Sequence, residues 1–430
     1  MSKYTDFFPL AGDGGHVPGD VIPTSSNYIA DGINYVDITE GAFVDITSFP
    51  DLQTLTNLSD ISYIGTVELQ QNFLHPARAH GDNVSAIFED TLVIGASLDN
   101  SVISNSGTAL IYTRVNGIWS LQQTLKDPTP ASYEEFGKAV GIYGDTLIIS
   151  AKFFLHMYVR NDSVWALQQT INIPTLAFEN GCYEVSIYED TIVIGDNRSD
   201  VGGTDAGIAY VYTRTGTTWA LQQTINNPTP AGGDYFGWSV SLYEDTLVVA
   251  ARNDDTGATN AGSVYVYTRT GSTWTLQQTI NNPTPATHDG FGEIITLNSN
   301  IMVIKVGSRR YDTFLNDDGF WYFNQSIFIQ DTYTLALLED TIVIGQYWFD
   351  YNGGMDSFGA ALIYKMINSE WFLQQTVLGD EQYKEFGNYI SAYGNTIIVL
   401  TYGTNDVYSY VESENLLYID GDNKVLKVTT

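Results

Sequence analysis

The segment Tyr347-Trp348-Phe349-Asp350-Tyr351-Asn352 is the densest concentration of binding chemistry in this chain. Flat rings present apolar faces with polar edges, which suits a sugar, and a carboxylate and an amide beside them can hydrogen-bond its hydroxyls. Tyr347, Trp348 and Tyr351 are expected to stack, and Asp350 and Asn352 to hydrogen-bond. The competing use of the same cluster is packing against neighbouring loops. Covalent chemistry has less behind it. His16, His75, His80, His156 and His288 share no metal-ligand spacing, and neither a Gly-x-Ser-x-Gly elbow nor a phosphate loop is present. Glu134-Glu135 and Asp254-Asp255 are adjacent pairs in turns, and glycosidase carboxylates spread over several elements would leave no local signature. The reading is a protein without catalytic residues, cofactor or metal site.

What positions the aromatic segment is a repeat. Leu-Gln-Gln stands at Leu69, Leu121, Leu167, Leu221, Leu276 and Leu373, and Phe323-Asn324-Gln325 fills the one gap. Out of phase with it run Glu-Asp-Thr, Gly-Asp-Thr or Gly-Asn-Thr, with threonines at 91, 146, 191, 246, 341 and 396 and Ile301 in the missing copy. The unit 236–280 reads as four short β-branched or aromatic runs separated by Gly, Asn, Asp and Pro turns. Four strands per unit and seven units predict an all-β fold, a seven-bladed β-propeller with an N-terminal extended arm. The expected division is an attachment arm over 1–65, a propeller over 66–412 and a tail over 413–430. The strand at 66–73 precedes the first blade and is expected to complete the last one beside 407–412, because an open ring exposes a strand edge. Trp119, Trp165, Trp219, Trp274, Trp321 and Trp371 share one blade position, which points to packing between blades. Adjacent glutamines alternate faces along a strand, so hydrogen bonding between blades is their expected use. The loops joining second to third strands are long at 97–106, 196–206, 252–261 and 346–358, and the aromatic segment lies in the last of these.

Phe136-Gly137, Phe236-Gly237, Phe291-Gly292 and Phe386-Gly387 each lie ten residues before the threonine position. With Thr246–Ala251 and the Gly262-Ser263-Val264-Tyr265-Val266-Tyr267 segment, the pattern resembles the FG-GAP repeat family of integrin-α-type propellers over 79–412. Gly81-Asp82, Gly181-Cys182 and Asp331-Thr332 replace Phe-Gly in three blades. The resemblance implies a calcium loop of Asp-x-Asp-x-Asp-Gly type, but the nearest candidates, 196–200 and 253–257, lack its alternating ligands, so no metal is expected. Phe7-Phe8-Pro9 before a Gly-rich stretch resembles the N-termini of structural and tail-fibre-type proteins of marine tailed bacteriophages.

The formal charge is −32, which excludes nucleic acid and an anionic membrane surface as partners. The single cysteine, Cys182, allows no intramolecular disulfide. No apolar run approaches the length of a membrane span, and the N-terminal residues lack a secretory signal. Twenty-nine tyrosines beside 18 lysines and arginines suit extracellular recognition. A virion protein, made in a host cytoplasm and released by lysis, reconciles these features. The expected function is that of a bacteriophage structural protein, a fibre or decoration head anchored to other virion subunits through Phe7, Phe8 and Pro9. It would bind a host surface glycan or a neighbouring subunit. A secreted FG-GAP adhesin and a polysaccharide-active enzyme are the alternatives.

Overall fold

The computed structural model describes residues 27–30, 35–38, 61–63, 66–74, 83–173, 184–330, 332–347, 358–379, 386–401, 406–413, 416–419 and 424–427. Each repeat folds as an antiparallel meander whose strand order in the sheet is its order in the chain. In blade 4, for example, the strands are Phe236–Tyr243, Thr246–Ala251, Ser263–Thr270 and Thr273–Asn281. Blade 1 begins at Asn83, blade 2 at Val140, blade 3 at Val185, blade 5 at Phe291 and blade 6 at Thr332. In blades 1 to 4 the first two strands are joined by Glu-Asp or Gly-Asp. Glu89, Glu189 and Glu244 have φ of 51°, and Gly144 at the same place has 56°. A two-residue hairpin whose twist matches its strands requires this left-handed geometry.

The expected seven-bladed propeller with an extended arm needs correcting on both points. Six blades, not seven, are complete units of consecutive strands. The remaining position in the ring holds a closure sheet drawn from both ends of the repeat region. There Phe386–Tyr393, Thr396–Thr401 and Asp406–Ser413 are joined by Thr66–Leu74, with Leu69 opposite Tyr410. This is the pairing that the edge argument required. The arm is not simply extended either. Asn27–Ala30, Tyr35–Ile38 and Ile61–Tyr63 share a five-stranded sheet with Leu416–Ile419 and Lys424–Lys427. The physical reason is again backbone satisfaction: short strands from the two termini find hydrogen-bond partners in each other.

The innermost strands of the six blades and the closure sheet touch their neighbours in a closed ring. The core is accordingly a set of seven apolar layers, one between each adjacent pair of sheets. Between blades 3 and 4, Val193, Val211 and Phe236 pack with Val249, Tyr265 and Trp274.

The signature residues of the repeat bind one sheet to the next. The second glutamine of each Leu-Gln-Gln clasps both backbone groups of one residue on the following outer strand. Gln223 accepts from Trp274 N–H at 2.9 Å and donates to Trp274 C=O at 2.9 Å. Gln71, Gln123, Gln169, Gln278 and Gln325 hold Trp119, Trp165, Trp219, Trp321 and Trp371 in the same way. Gln375 closes the ring on Val67, which occupies the tryptophan position of the closure strand. The Glu-Asp-Thr motif is a second clasp. Arg269 donates to Asp245 of its own blade and to Thr191 of the preceding one, at 2.6 and 2.9 Å, and its guanidinium lies over Trp274. Arg114, Arg160 and Arg214 repeat the arrangement.

Candidate functional site

Phe-Gly constrains the sheet before it. A Cβ on Gly195 of blade 3 would lie 1.9 Å from the carbonyl oxygen of Gly237, the glycine of the next Phe-Gly. Gly95 and Gly345 meet Gly137 and Gly387 at 2.0 and 1.8 Å. Ala250 holds this place before Phe291-Gly292. Where the next sheet lacks Phe-Gly, the position is released and holds Ser150, Lys305 or Leu400. Lys305 is the functional consequence, since a long cation can enter blade 5 only because blade 6 opens with Thr332-Tyr333.

Around Lys305 a continuous strip of polar and aromatic side chains crosses three blades. Its ammonium donates to Glu293 Oε1 at 3.0 Å and lies 5.7 Å from the Tyr333 ring. Tyr333 meets Tyr347 edge to face, with centroids 5.4 Å apart. In the other direction Glu293 Oε2 is 3.7 Å from Nη2 of Arg252. The Arg252 guanidinium stacks 4.4 Å from the Trp238 ring, which is followed by Tyr235 at 6.0 Å. Three features place these residues. Glu293 and Trp238 directly follow the Phe-Gly of blades 5 and 4, Arg252 directly follows the second strand of blade 4, and Tyr347 directly follows that of blade 6.

The strip is electrostatically uneven. Lys305 is almost fully buried, and burial lowers its pKa while the Glu293 carboxylate raises it. Its charge is spent on Glu293. Arg252 shares that carboxylate more loosely: its Nη2 is 3.7 Å from Glu293 Oε2, an ion pair beyond hydrogen-bond distance, and its side chain is 30% exposed. A guanidinium has five donors in a planar fork, so Arg252 can serve an acceptor-rich ligand while Trp238 backs it. Tyr333, 54% exposed, offers the ring for stacking.

Of the residues expected to bind, the structure brings Tyr347 into this strip. Trp348, Asp350, Tyr351 and Asn352, and the proposed anchor Phe7, Phe8 and Pro9, lie outside the described residues. Sequence reasoning missed Trp238, Arg252, Glu293, Lys305 and Tyr333. A signal existed: Lys305 is the one charge in the second strand Ile301–Val306, and it precedes a blade without Phe-Gly.

In blades 1 and 4 the acids of the long loops are engaged within the loop and its strands. Asp254 accepts from Thr256 N–H, Ser263 Oγ and Tyr265 OH, and Asp255 accepts from Asn260 N–H. Asp99 does the same in blade 1 with Ser101 and Thr108. Among the described residues no group of three or more His, Cys, Asp or Glu side chains could hold a metal.

His156 is in the core. Its Nδ1 is 3.0 Å from Thr170 Oγ1 and its Nε2 is 3.9 Å from Asp127. Burial lowers its pKa, and Asp127 opposes that. The folded protein therefore favours the neutral ring, a contribution present above the unfolded value of about 6.5 and lost as pH falls through the folded one. Leu110 and Leu362 occupy the equivalent position in blades 1 and 6. His156→Leu is expected to lose less thermal stability than the parent between about pH 7.5 and about pH 5.5, the interval spanning that reference value. Equal losses in calorimetry would show that His156 does not carry this sensitivity.

Residues 219–267 match the FG-GAP repeat model. That match runs from the outer strand of blade 3 to the third strand of blade 4. An FG-GAP propeller is consistent with an adhesion or binding module. No curated protein matches the chain. Among solved structures, a chain of "Crystal Structure of Mitotic Checkpoint Complex" is similar at 11% identity, with 80% of this chain and 96% of that chain covered and a TM-score of 0.53. A chain of "Crystal structure of Chaetomium thermophilum Raptor" is similar at 8% identity, with 82% and 30% covered and a TM-score of 0.57. At these identities the likeness shows the fold alone.

Proposed function

We propose that this protein is a non-enzymatic recognition head that binds a saccharide through the strip from Tyr347 to Trp238. The observation that carries the reading is Arg252, whose partly exposed side chain stacks on Trp238, in line with the exposed ring of Tyr333. Rings to stack on and an accessible guanidinium are what a polyhydroxylated ligand requires. The setting we propose is a bacteriophage virion, in which residues 1–65 anchor the head to other subunits and the aromatic segment 347–352 extends the strip. One stacked ring contributes only about 1 kcal/mol beyond its buried area, so useful affinity comes from many displayed copies.

The test is binding of the purified protein to immobilised glycans. Arg252→Ala and Tyr333→Ala are each expected to weaken binding about five- to tenfold, the equivalent of about 1 kcal/mol. Full binding by both folded variants, or glycan binding by neither they nor the parent, would reject the strip as a saccharide site.

A further inference from the structure

The first strand of five consecutive sheets ends in an aromatic ring. The rings are Tyr393 of the closure sheet and Phe88, Tyr143, Tyr188 and Tyr243 of blades 1 to 4, each directly before the turn to the second strand. Neighbouring centroids in this series are 4.6, 4.8, 4.9 and 5.1 Å apart, and the planes turn by 44°, 47°, 49° and 53°. That turn is close to the seventh of a circle that separates adjacent sheets, so the rings follow the rotation of the propeller. Rings so spaced stand about 5–6 Å from its axis and line one mouth of the central channel. Asn298 and Leu338 hold the place in blades 5 and 6, which leaves the arc open on one side. Trp238 and Glu293 lie near the start of the same strands, so this mouth is on the face opposite the saccharide strip.

The mouth is polar at its rim and unbalanced in charge. The Tyr143 hydroxyl is felt by Tyr188, Tyr243 and Tyr393, on both sides of it, so the hydroxyls converge. Burial raises the pKa of these three phenols, and carboxylates raise it further: Glu244 acts on Tyr188 and Tyr243, Glu339 on Tyr243 and Glu89 on Tyr393. In four of the turns a glutamate precedes an aspartate, and the two have different fates. Asp90, Asp190, Asp245 and Asp340 are paired with Arg114, Arg214, Arg269 and Lys365. Glu89, Glu189, Glu244 and Glu339 are exposed and have no ion-pair partner among the described residues. From Tyr143 a cleft of about 370 Å³ continues between the turns of blades 2 and 3, past Asp145 and Glu189. Its base, Arg214, is held by Asp190.

We propose that this mouth and its cleft bind a linear polyamine. Its methylenes lie against the ring edges, and its ammonium groups reach the hydroxyls and the unpaired glutamates. Tyrosine rings attract cations, and their hydroxyl oxygens accept from ammonium groups. A methylene chain is thin enough to enter such a mouth. The free carboxylates stand on separate turns, so charges spaced along a chain can meet several of them. A single metal ion cannot, since among the described residues no three His, Cys, Asp or Glu side chains converge.

Isothermal titration of the full chain with spermine tests this at about 0.15 M salt, where charges more than about 8 Å apart are largely screened and loose attraction to the net charge is suppressed. One saturable site is expected. Glu189→Gln with Glu244→Gln is expected to weaken it about five- to tenfold. Asp317→Asn with Asp318→Asn removes the same charge from the exposed outer turn of blade 5 and is expected to leave binding unchanged. Tyr143→Phe with Tyr188→Phe keeps the rings, loses the hydroxyls and is expected to weaken binding about threefold or more. No saturable site in the parent overturns the proposal. So does a site indifferent to both glutamates and both hydroxyls, or an equal loss in the Asp317 and Asp318 control. Equally tight binding of N-acetyl-lysine methylamide overturns it too, because its single ammonium would make a partner protein's lysine the ligand.

Discussion

Gln223→Leu is expected to cost the fold about 2–4 kcal/mol, read as a lower urea midpoint with an unchanged slope. The clasp joins the amide of Gln223 to both backbone groups of Trp274, and each backbone group has this side chain as its partner. Leucine can neither donate nor accept. It leaves an N–H and a C=O in a partly buried seam, where an unmet group costs about 1–3 kcal/mol. Two controls separate this loss from mere disturbance of the motif. Leu221→Thr, two residues away and 44% exposed in the parent, is expected to stay within about 0.5 kcal/mol. Gln223→Glu keeps an acceptor for the Trp274 N–H but sets a carboxylate oxygen against the Trp274 C=O, so it is expected to be destabilising at neutral pH and less so in acid. A midpoint unmoved in Gln223→Leu would show that the clasps are incidental to the ring.

The clasps also explain what could be read in the chain. Strand number per repeat, the pairing of 66–73 with the last sheet and the inter-blade role of the second glutamine all follow from local periodicity, because identical neighbours must make identical contacts. The terminal sheet does not. Its strands are three or four residues long, belong to no repeat and pair across most of the chain, as Ile61 does with Ile419. Nothing local distinguishes such a strand from a linker. The functional strip was legible only in part for a related reason. The aromatic segment at 347 stands out by composition, but Lys305 matters through an absence in the next blade. That inference needs the close approach of Gly195 to Gly237 to be known first. Trp238 and Glu293 likewise look like ordinary strand residues until the ring brings them beside Arg252.

Deleting residues 1–74 is expected to abolish cooperative unfolding, while deleting residues 1–60 leaves the ring folded. The longer deletion removes the outer strand of the closure sheet and two of the seven clasps, Gln71 on Trp119 and Gln375 on Val67. It also uncovers the backbone edge of Asp406–Ser413 and the apolar layers that Val67 and Phe73 help to fill. At about 2–4 kcal/mol per clasp and about 1.5–3 for each buried apolar side chain, the loss is comparable to the whole stability of a typical domain, about 5–15 kcal/mol. The shorter deletion touches none of these contacts. It removes Asn27–Ala30 and Tyr35–Ile38 from the terminal sheet but leaves Ile61–Tyr63 beside Leu416–Ile419. Calorimetry of the two truncations decides the matter. A peptide spanning 64–76, added to the longer deletion, is expected to restore a cooperative transition by supplying the missing strand. If the chain without residues 1–74 melts as sharply and at the same temperature as the parent, the ring is held by its interior layers alone and the closure strand is dispensable.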